Sequence, residues 1–227
     1  MAYVFKQNLL PTSKYPIKAP YSMTPQYITV HNTANDASAS NEIKYMITNN
    51  NQVSYHVAVD DKQVIQAIPF NRNAWHCGDG QGNGNRKSIG IEICYSKSGG
   101  ARYAAAEENA VQYIAKLLKE YDWGIERVKK HQDWNGKYCP HRILSESRWN
   151  SFLKRIEEAM KPTTPTQPKE EIKMANSLTS TAKEDLKGLL KETYQKGILK
   201  VDHSERVGSM TDGEALGLLI SVVKRTL

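Results

Sequence analysis

Three of the chain's nine prolines, Pro162, Pro165 and Pro168, fall within seven residues, inside the run KPTTPTQPKEEIK (161–173). Proline has no backbone N–H and a fixed φ, so such a run cannot continue a helix or build a core. Set among Thr, Gln and charged residues, it reads as a semi-rigid, extended linker. The 227 residues therefore divide into a larger domain, 1–160, and a smaller one, 174–227. No internal repeat is visible on either side.

Before the linker, strand and helix signals alternate, which predicts an α/β fold. Tyr27–His31 places Ile28 and Val30 on one face and Thr29 and His31 on the other. SIGIEIC (88–94) likewise separates Ile89, Ile91 and Ile93 from Ser88, Gly90, Glu92 and Cys94. SYHVAV (54–59) and residues 63–68 flank an Asp-Asp turn like a hairpin. Apolar residues at helical spacing predict helices over 104–121 and 146–160, and a shorter one over 41–48 follows the cap candidates Ser38 to Ser40. The loop GDGQGNGNRKS (78–88) lacks the Gly-Lys-Ser/Thr ending of a phosphate loop and reads as a wall of a groove.

Beyond the linker the pattern is helical. Thr181-x-x-Glu184 and Thr211-x-x-Glu214 are capping-box patterns. Leu186, Leu189, Leu190 and Tyr194 form the expected buried face of the first helix. Leu216, Leu219, Ile220, Val223 and Leu227 form that of the second. Lys196-Gly197-Ile198-Leu199 reads as a helix C-cap between them.

The net charge of +7 is dispersed: 20 basic against 15 acidic side chains before residue 161, and 11 against 9 from residue 161 onward. With no run of five like charges and no groove-reading motif, nucleic acid is not an expected partner. No apolar run reaches the roughly 18 residues of a spanning helix, so a membrane is not expected either. Three cysteines, an odd number, cannot close a disulfide framework.

The residues able to do chemistry lie in KKHQDWNGKYCPHR (129–142) and on the polar faces of two strands. Imidazole and thiolate are ligand types that zinc prefers. His131 and Cys139 with His31 would make three ligands, the usual number when a fourth position is kept for water. Taken alone, His31 reads equally as a strand histidine satisfied by a hydrogen bond. Glu92, in the middle of an apolar strand, is costly to bury without a partner or a task.

Four motifs then carry a resemblance. Thr29-Val30-His31-Asn32-Thr33, Ala74-Trp75-His76-Cys77-Gly78, Asn85 with Ser88-Ile89-Gly90-Ile91-Glu92, and His131 with Lys137-Tyr138-Cys139-Pro140 occur in this order. The chain resembles the type 2 N-acetylmuramoyl-L-alanine amidases, zinc enzymes that share a fold with peptidoglycan recognition proteins, and within them the endolysins of Bacillus phages. The resemblance covers nearly all of residues 1–160 and implies for them a mixed β-sheet flanked by helices, to which the helical pattern beyond the linker adds a small all-helical C-terminal domain. It implies zinc held by His31, His131 and Cys139 and catalysis by Glu92 and Lys137; Trp75 and His76, at the root of the loop 78–88, are expected to line the groove and contact substrate. Tyr55 stands where some relatives carry a catalytic tyrosine and is left without a role. The implied reaction is hydrolysis of the amide between N-acetylmuramic acid and L-alanine, leading to host lysis. A bacterial autolysin or sporulation amidase, or a non-catalytic peptidoglycan-recognition protein, are the rival readings.

The N-terminus, MAYVFKQNLLPTSKYP, has no apolar stretch of secretory length, which predicts synthesis in the cytoplasm and action on the wall after release. Residues 174–227 number 54, a size at which a lone core rarely supplies more than ~3–5 kcal/mol. They are expected to recognise a wall-associated polymer and to pack on a partner such as a second copy of the chain.

Overall fold

Ile28 and Val30 of β2 (Tyr27–Asn32) and Ile89, Ile91 and Ile93 of β5 (Ser88–Ile93) are fully buried, and the two strands pair in parallel at the sheet's centre. This computed structural model describes residues 3–161 and 179–226, so the proline run 161–173 lies outside the described residues apart from Lys161, as does Leu227. The chain divides into two compact units, 1–162 and 163–227.

In the first unit the strands run β1 (Val4–Gln7), β4 (Gln63–Gln66), β3 (Val57–Val59), β5, β2 and β6 (Val128–Lys130) across one mixed sheet. Only β3 and β4 pair antiparallel. The Asp60 carboxylate closes their turn, accepting from the backbone N–H groups of Lys62 and Gln63, each at 2.8 Å. Helix α2 (Ala39–Thr48) packs on β3 and β4, and starts where Ser38 Oγ accepts from the Asn41 N–H at 3.3 Å. Helix α4 (Gly100–Glu120) covers β3, β4 and β5 and carries α7 (Trp149–Met160) on its outer side. Glu107 of α4 accepts two hydrogen bonds from Arg148 and one from Arg155, which pins α7 in place.

Four short helices were not legible as such: α1 (Tyr15–Lys18), α3 (Asn83–Lys87), α5 (Gln132–Asn135) and α6 (His141–Ser145). The expected helix over 146–160 is α7, which starts only at Trp149 because Ser147, at φ +53°, separates it from α6. The Gly-rich loop holds α3, because the Asp79 carboxylate accepts from the N–H groups of Gly84 and Asn85 at 2.7 and 3.0 Å. Among the described residues no helix is long and apolar enough to cross a membrane.

The second unit contains α8 (Ser180–Gln195), a 3-10 turn (Ser204–Ser209) and α9 (Asp212–Thr226) around Leu186, Leu190, Leu199, Val207, Ala215 and Val222. Two expectations are corrected. The α8 cap is Thr179, whose hydroxyl accepts from the Ala182 N–H at 3.2 Å, rather than Thr181. The buried face of α9 is rotated: Ala215 and Val222 are buried, whereas Leu216, Ile220 and Val223 are exposed, as are Leu189 and Tyr194 of α8. The Thr211–Glu214 capping box forms, with the Thr211 N–H donating to Glu214 Oε2 at 2.8 Å. Gly197, at φ +72°, closes α8 as a C-cap, the Ile198 N–H donating to the Thr193 carbonyl at 2.9 Å.

Candidate functional site

The parallel register sets His31 of β2 directly beside Glu92 of β5. His131 follows the end of β6, and Lys137 and Cys139 lie in the loop between α5 and α6. His31, His76, His131 and Cys139 are buried, Glu92 is half-buried and Lys137 is exposed.

The imidazoles form a chain anchored on carbonyls at both ends. His76 Nε2 lies 3.3 Å from the Ser88 carbonyl, and His131 Nε2 lies 3.0 Å from the Cys77 carbonyl. A carbonyl accepts only, so both Nε2 atoms carry the proton and both Nδ1 atoms carry lone pairs. His76 Nδ1 faces His31 Nε2 at 2.9 Å, and His131 Nδ1 faces His31 Nδ1 at 3.1 Å. Burial, with the neighbouring His76, His131 and Lys137, holds His31 well below its usual pKa, so it is neutral and has one proton to place. That proton satisfies one neighbour; the other contact brings two lone pairs together, and a cation belongs there.

Two donor sets follow. His31, His131 and Cys139 form one, and His31, His76 and Cys77 the other, each with its ligand atoms within 4.8 Å of one another. In the first, Cys139 Sγ lies 3.8 Å from His31 Nδ1. Burial and then the charge of Glu92 push the Cys139 thiol up to about 12, while the backbone N–H groups of Asn32 and His141 and the charge of Lys137 favour its thiolate. Cys77 is fully buried and is pushed higher still, again by burial first. Both sets suit a soft or borderline divalent cation.

The first set opens on solvent. Cys139, Glu92 and Lys137 line a groove of about 810 Å³ with Asn32, Glu42, Tyr45 and Tyr138. A second hollow, about 580 Å³, is lined by Trp75, His76, Gln81, Asn85, His131 and Lys137. Lys137 and Val53 border both. Cys77 lines neither. Glu92 Oε2 is buried with no protein partner, and burial, followed by the charge of Glu42, raises its carboxyl to about 8. Trp75 Nε1 is likewise buried without a partner. Tyr55 is committed elsewhere, its hydroxyl donating to Glu42 at 3.3 Å.

Three supporting residues were not foreseen. Asn85 Oδ1 accepts from the N–H groups of both His76 and Cys77, at 2.9 and 2.8 Å, which fixes the carbonyl that orients His131. Gly90 lies under the His76 ring, where a Cβ would come within 2.8 Å of it. Asn32 Oδ1 accepts from the Arg142 N–H at 3.0 Å and holds the start of α6 near Cys139. Their signal in the sequence was a position within a motif, with no chemistry of its own to mark it.

Two imidazoles and a thiol, meeting beside an unpartnered carboxylate and reaching a groove on a mixed sheet through Cys139, define a metal-dependent hydrolase class of site. The sequence pattern of the N-acetylmuramoyl-L-alanine amidase family matches residues 21–142, and the chain belongs to that family. It is 65% identical over 162 residues to the amidase CwlA of Bacillus subtilis strain 168, which covers 71% of this chain and 60% of that protein. To XlyB of the same strain it is 62% identical over 161 residues, covering 70% and 51%. Among solved structures, that of PlyL is 61% identical with a TM-score of 0.66, covering 67% of this chain and 96% of that one. The amidase fold expected from the motifs is thus borne out, while the chain spans only about half to three-fifths of the two Bacillus proteins.

Proposed function

We propose that the chain is a peptidoglycan hydrolase that cleaves the amide between the lactyl group of N-acetylmuramic acid and L-alanine. The observation that carries this is the meeting of His31 Nδ1, His131 Nδ1 and Cys139 Sγ beside the unpartnered Glu92 oxygen in the groove. Zinc is the ion we assign to these three residues, where it supplies Lewis acidity toward water and the amide carbonyl. His76 acts behind it, accepting the His31 Nε2–H and passing its own Nε2–H to the Ser88 carbonyl, as outer-shell partners of ligating histidines do. This moves His76 from substrate contact to support of the metal.

Glu92 takes a proton from the attacking water and delivers it to the departing amine of L-alanine, a role typically worth ~10²–10⁴-fold. Its raised pKa suits a group that must hold the proton between these two events. Lys137, bordering both hollows, faces the carbonyl oxygen as it gains charge. Trp75, which lines the second hollow, contacts the substrate there through its ring.

Residues 1–160 form the catalytic domain in this reading, 161–173 the linker, and 174–227 a small helical domain that attaches the enzyme to the wall. Tethering raises the local concentration of the catalytic unit at its polymer. The lytic role in phage release rests on the likeness to solved structures that include a Bacillus subtilis endolysin, 40% identical to this chain.

Muropeptide analysis of digested walls tests the reaction. New free L-alanine amino ends on released stem peptides, with the glycan strands intact, lost on zinc chelation and restored by zinc, are the expected result. New reducing ends would make the enzyme a glycosidase, and binding without any cleavage would make it a recognition protein.

A further inference from the structure

His31 has two ring nitrogens, and the set with His131 and Cys139 uses only Nδ1. On the other side, His31 Nε2 lies 2.9 Å from His76 Nδ1, and Cys77 Sγ lies 3.1 Å from that same His76 atom. His31, His76 and Cys77 are 2%, 6% and 0% exposed. In the first set the two distances from the central nitrogen, His31 Nδ1, are 3.1 and 3.8 Å, so the second set is the tighter about its centre. Bonds of about 2.0 Å to nitrogen and 2.3 Å to sulfur hold donors about 3.3–3.7 Å apart. An ion therefore fits among these three atoms once they open by about half an ångström.

One proton decides which side of His31 is available. With that proton on Nε2, it is donated to His76, and Nδ1 is free to face His131 and Cys139. With it on Nδ1, it is donated to His131, and the lone pairs of His31 Nε2 and His76 Nδ1 converge beside the Cys77 sulfur. A neutral imidazole carries a single proton, so the two arrangements exclude each other.

The surroundings of the two sets differ as well. The first reaches Glu92 and the groove through Cys139. Cys77 lines neither hollow, and Gly84 of α3 closes on its sulfur so tightly that a Cβ would stand 2.8 Å away. Among the described residues no carboxylate joins the second set. Zinc takes a fourth ligand, usually water, which the open set supplies. The closed set offers two imidazoles and a thiolate with no room for water, which suits a soft ion satisfied by three donors, such as monovalent copper.

We propose that His31 Nε2, His76 Nδ1 and Cys77 Sγ form a second, sealed seat for a soft monovalent cation of the copper class, exclusive of the zinc seat across the same ring. Binding replaces the Cys77 thiol proton, which leaves to solvent, and moves the His31 proton to Nδ1. The ion enters from the second hollow, where His76 is part of the wall. It leaves the zinc seat without His31, so the chain that holds it has no hydrolytic centre. That silencing rests on the hydrolase reading, whereas the seat itself does not.

Anaerobic titration of the full, zinc-loaded chain with monovalent copper, in competition with a chromophoric copper chelator, tests the seat. The expected result is one copper bound per chain, a thiolate-to-copper charge-transfer band, and release of the zinc to an indicator. Two variants separate the seats. Cys139→Ser should weaken zinc binding by about 100-fold, at the upper end of what outer-shell losses cost, while copper and its band are kept. Cys77→Ala should lose copper and its band while zinc is kept. Cys94 belongs to neither donor set, so a band that survives Cys139→Ser comes from Cys77. Cys139→Ser therefore decides alone if Cys77→Ala does not fold by circular dichroism. Copper lost together with zinc in Cys139→Ser places it in the zinc seat and overturns the proposal. So does copper that binds without expelling zinc, or without a thiolate band. Copper binding as expected in a chain that releases no stem peptides from walls would uphold the seat and refute the hydrolase reading.

Discussion

Replacing Lys18 with methionine removes one fully buried ammonium and leaves the shape of the side chain nearly unchanged. Lys18 Nζ donates to Asn49 Oδ1 at 2.8 Å and to the Val53 carbonyl at 3.0 Å, and so ties α1 to the segment after α2. Lys14 reinforces it, donating to the carbonyls of Thr48 and Asn49 at the C-terminal end of α2. In the variant, Asn49 Oδ1 keeps the Asn51 N–H at 2.9 Å, while the Val53 carbonyl keeps no donor among the described residues. An acceptor stranded in this way costs about 1–3 kcal/mol, and for a unit of this size 2 kcal/mol lowers Tm by roughly 4–8 °C.

Asn49, Asn51, Gln52 and Val53 line the two hollows, so the loosened segment should also raise KM for cell walls while leaving kcat near wild type. Burial, helped by Lys14, lowers the Lys18 pKa, so in the alkaline range below 10.5 the unfolded chain binds its proton more readily than the folded one. Stability contributed by Lys18 therefore rises with pH through that window, and the gap between wild type and variant widens there. Calorimetry across pH and wall-turbidity kinetics read both effects. A variant at least as stable as wild type, with unchanged KM, would refute the reasoning and mean that the cost of burying the charge outweighs its bonds.

Three further outcomes follow from the packing. Glu92→Gln should bind zinc with wild-type stoichiometry while losing about 10²–10⁴-fold in turnover; near-wild-type digestion would remove Glu92 from the chemistry. Gly90→Ala must displace the His76 ring and should weaken zinc binding by about 10–100-fold, read by competition with a chromophoric chelator. Glu107→Gln removes the charge that Arg148 and Arg155 share between α4 and α7 but leaves them Glu146 and Glu108, and should cost about 1.5–3 kcal/mol in urea unfolding with activity retained at low temperature.

Periodicity exposed β2, β5, α2 and α4 because each has one strongly apolar face. It missed β1, whose four residues are all exposed, and β6, which has only three. It misjudged α9 because ALGLLISVV (215–223) is apolar nearly all round, and only contact with Leu186, Leu190 and Val207 selects Ala215 and Val222. At the site, residue type pointed to His31, His131, Cys139, Glu92 and Lys137, of which the fold sets Cys139, Glu92 and Lys137 on one groove, His131 on the neighbouring hollow and His31 buried between the other two donors. The supporting shell was hidden, because the carbonyls of Ser88 and Cys77 could have come from any residue. His131 and Cys77 are 54 positions apart, and local spacing carries no trace of such a contact.

His31 and Glu92 are neighbours by strand pairing, in the middle of the sheet, rather than by a meeting of loops. Their separation can change only if the β2–β5 ladder opens, and central ladders open last, in global unfolding. Thermal inactivation should therefore track loss of the fold itself, with no warm interval in which an intact protein has gone silent. Any earlier failure would have to begin beyond the end of β6, in the stretch that carries His131, Lys137 and Cys139, the part of the centre not built into a strand.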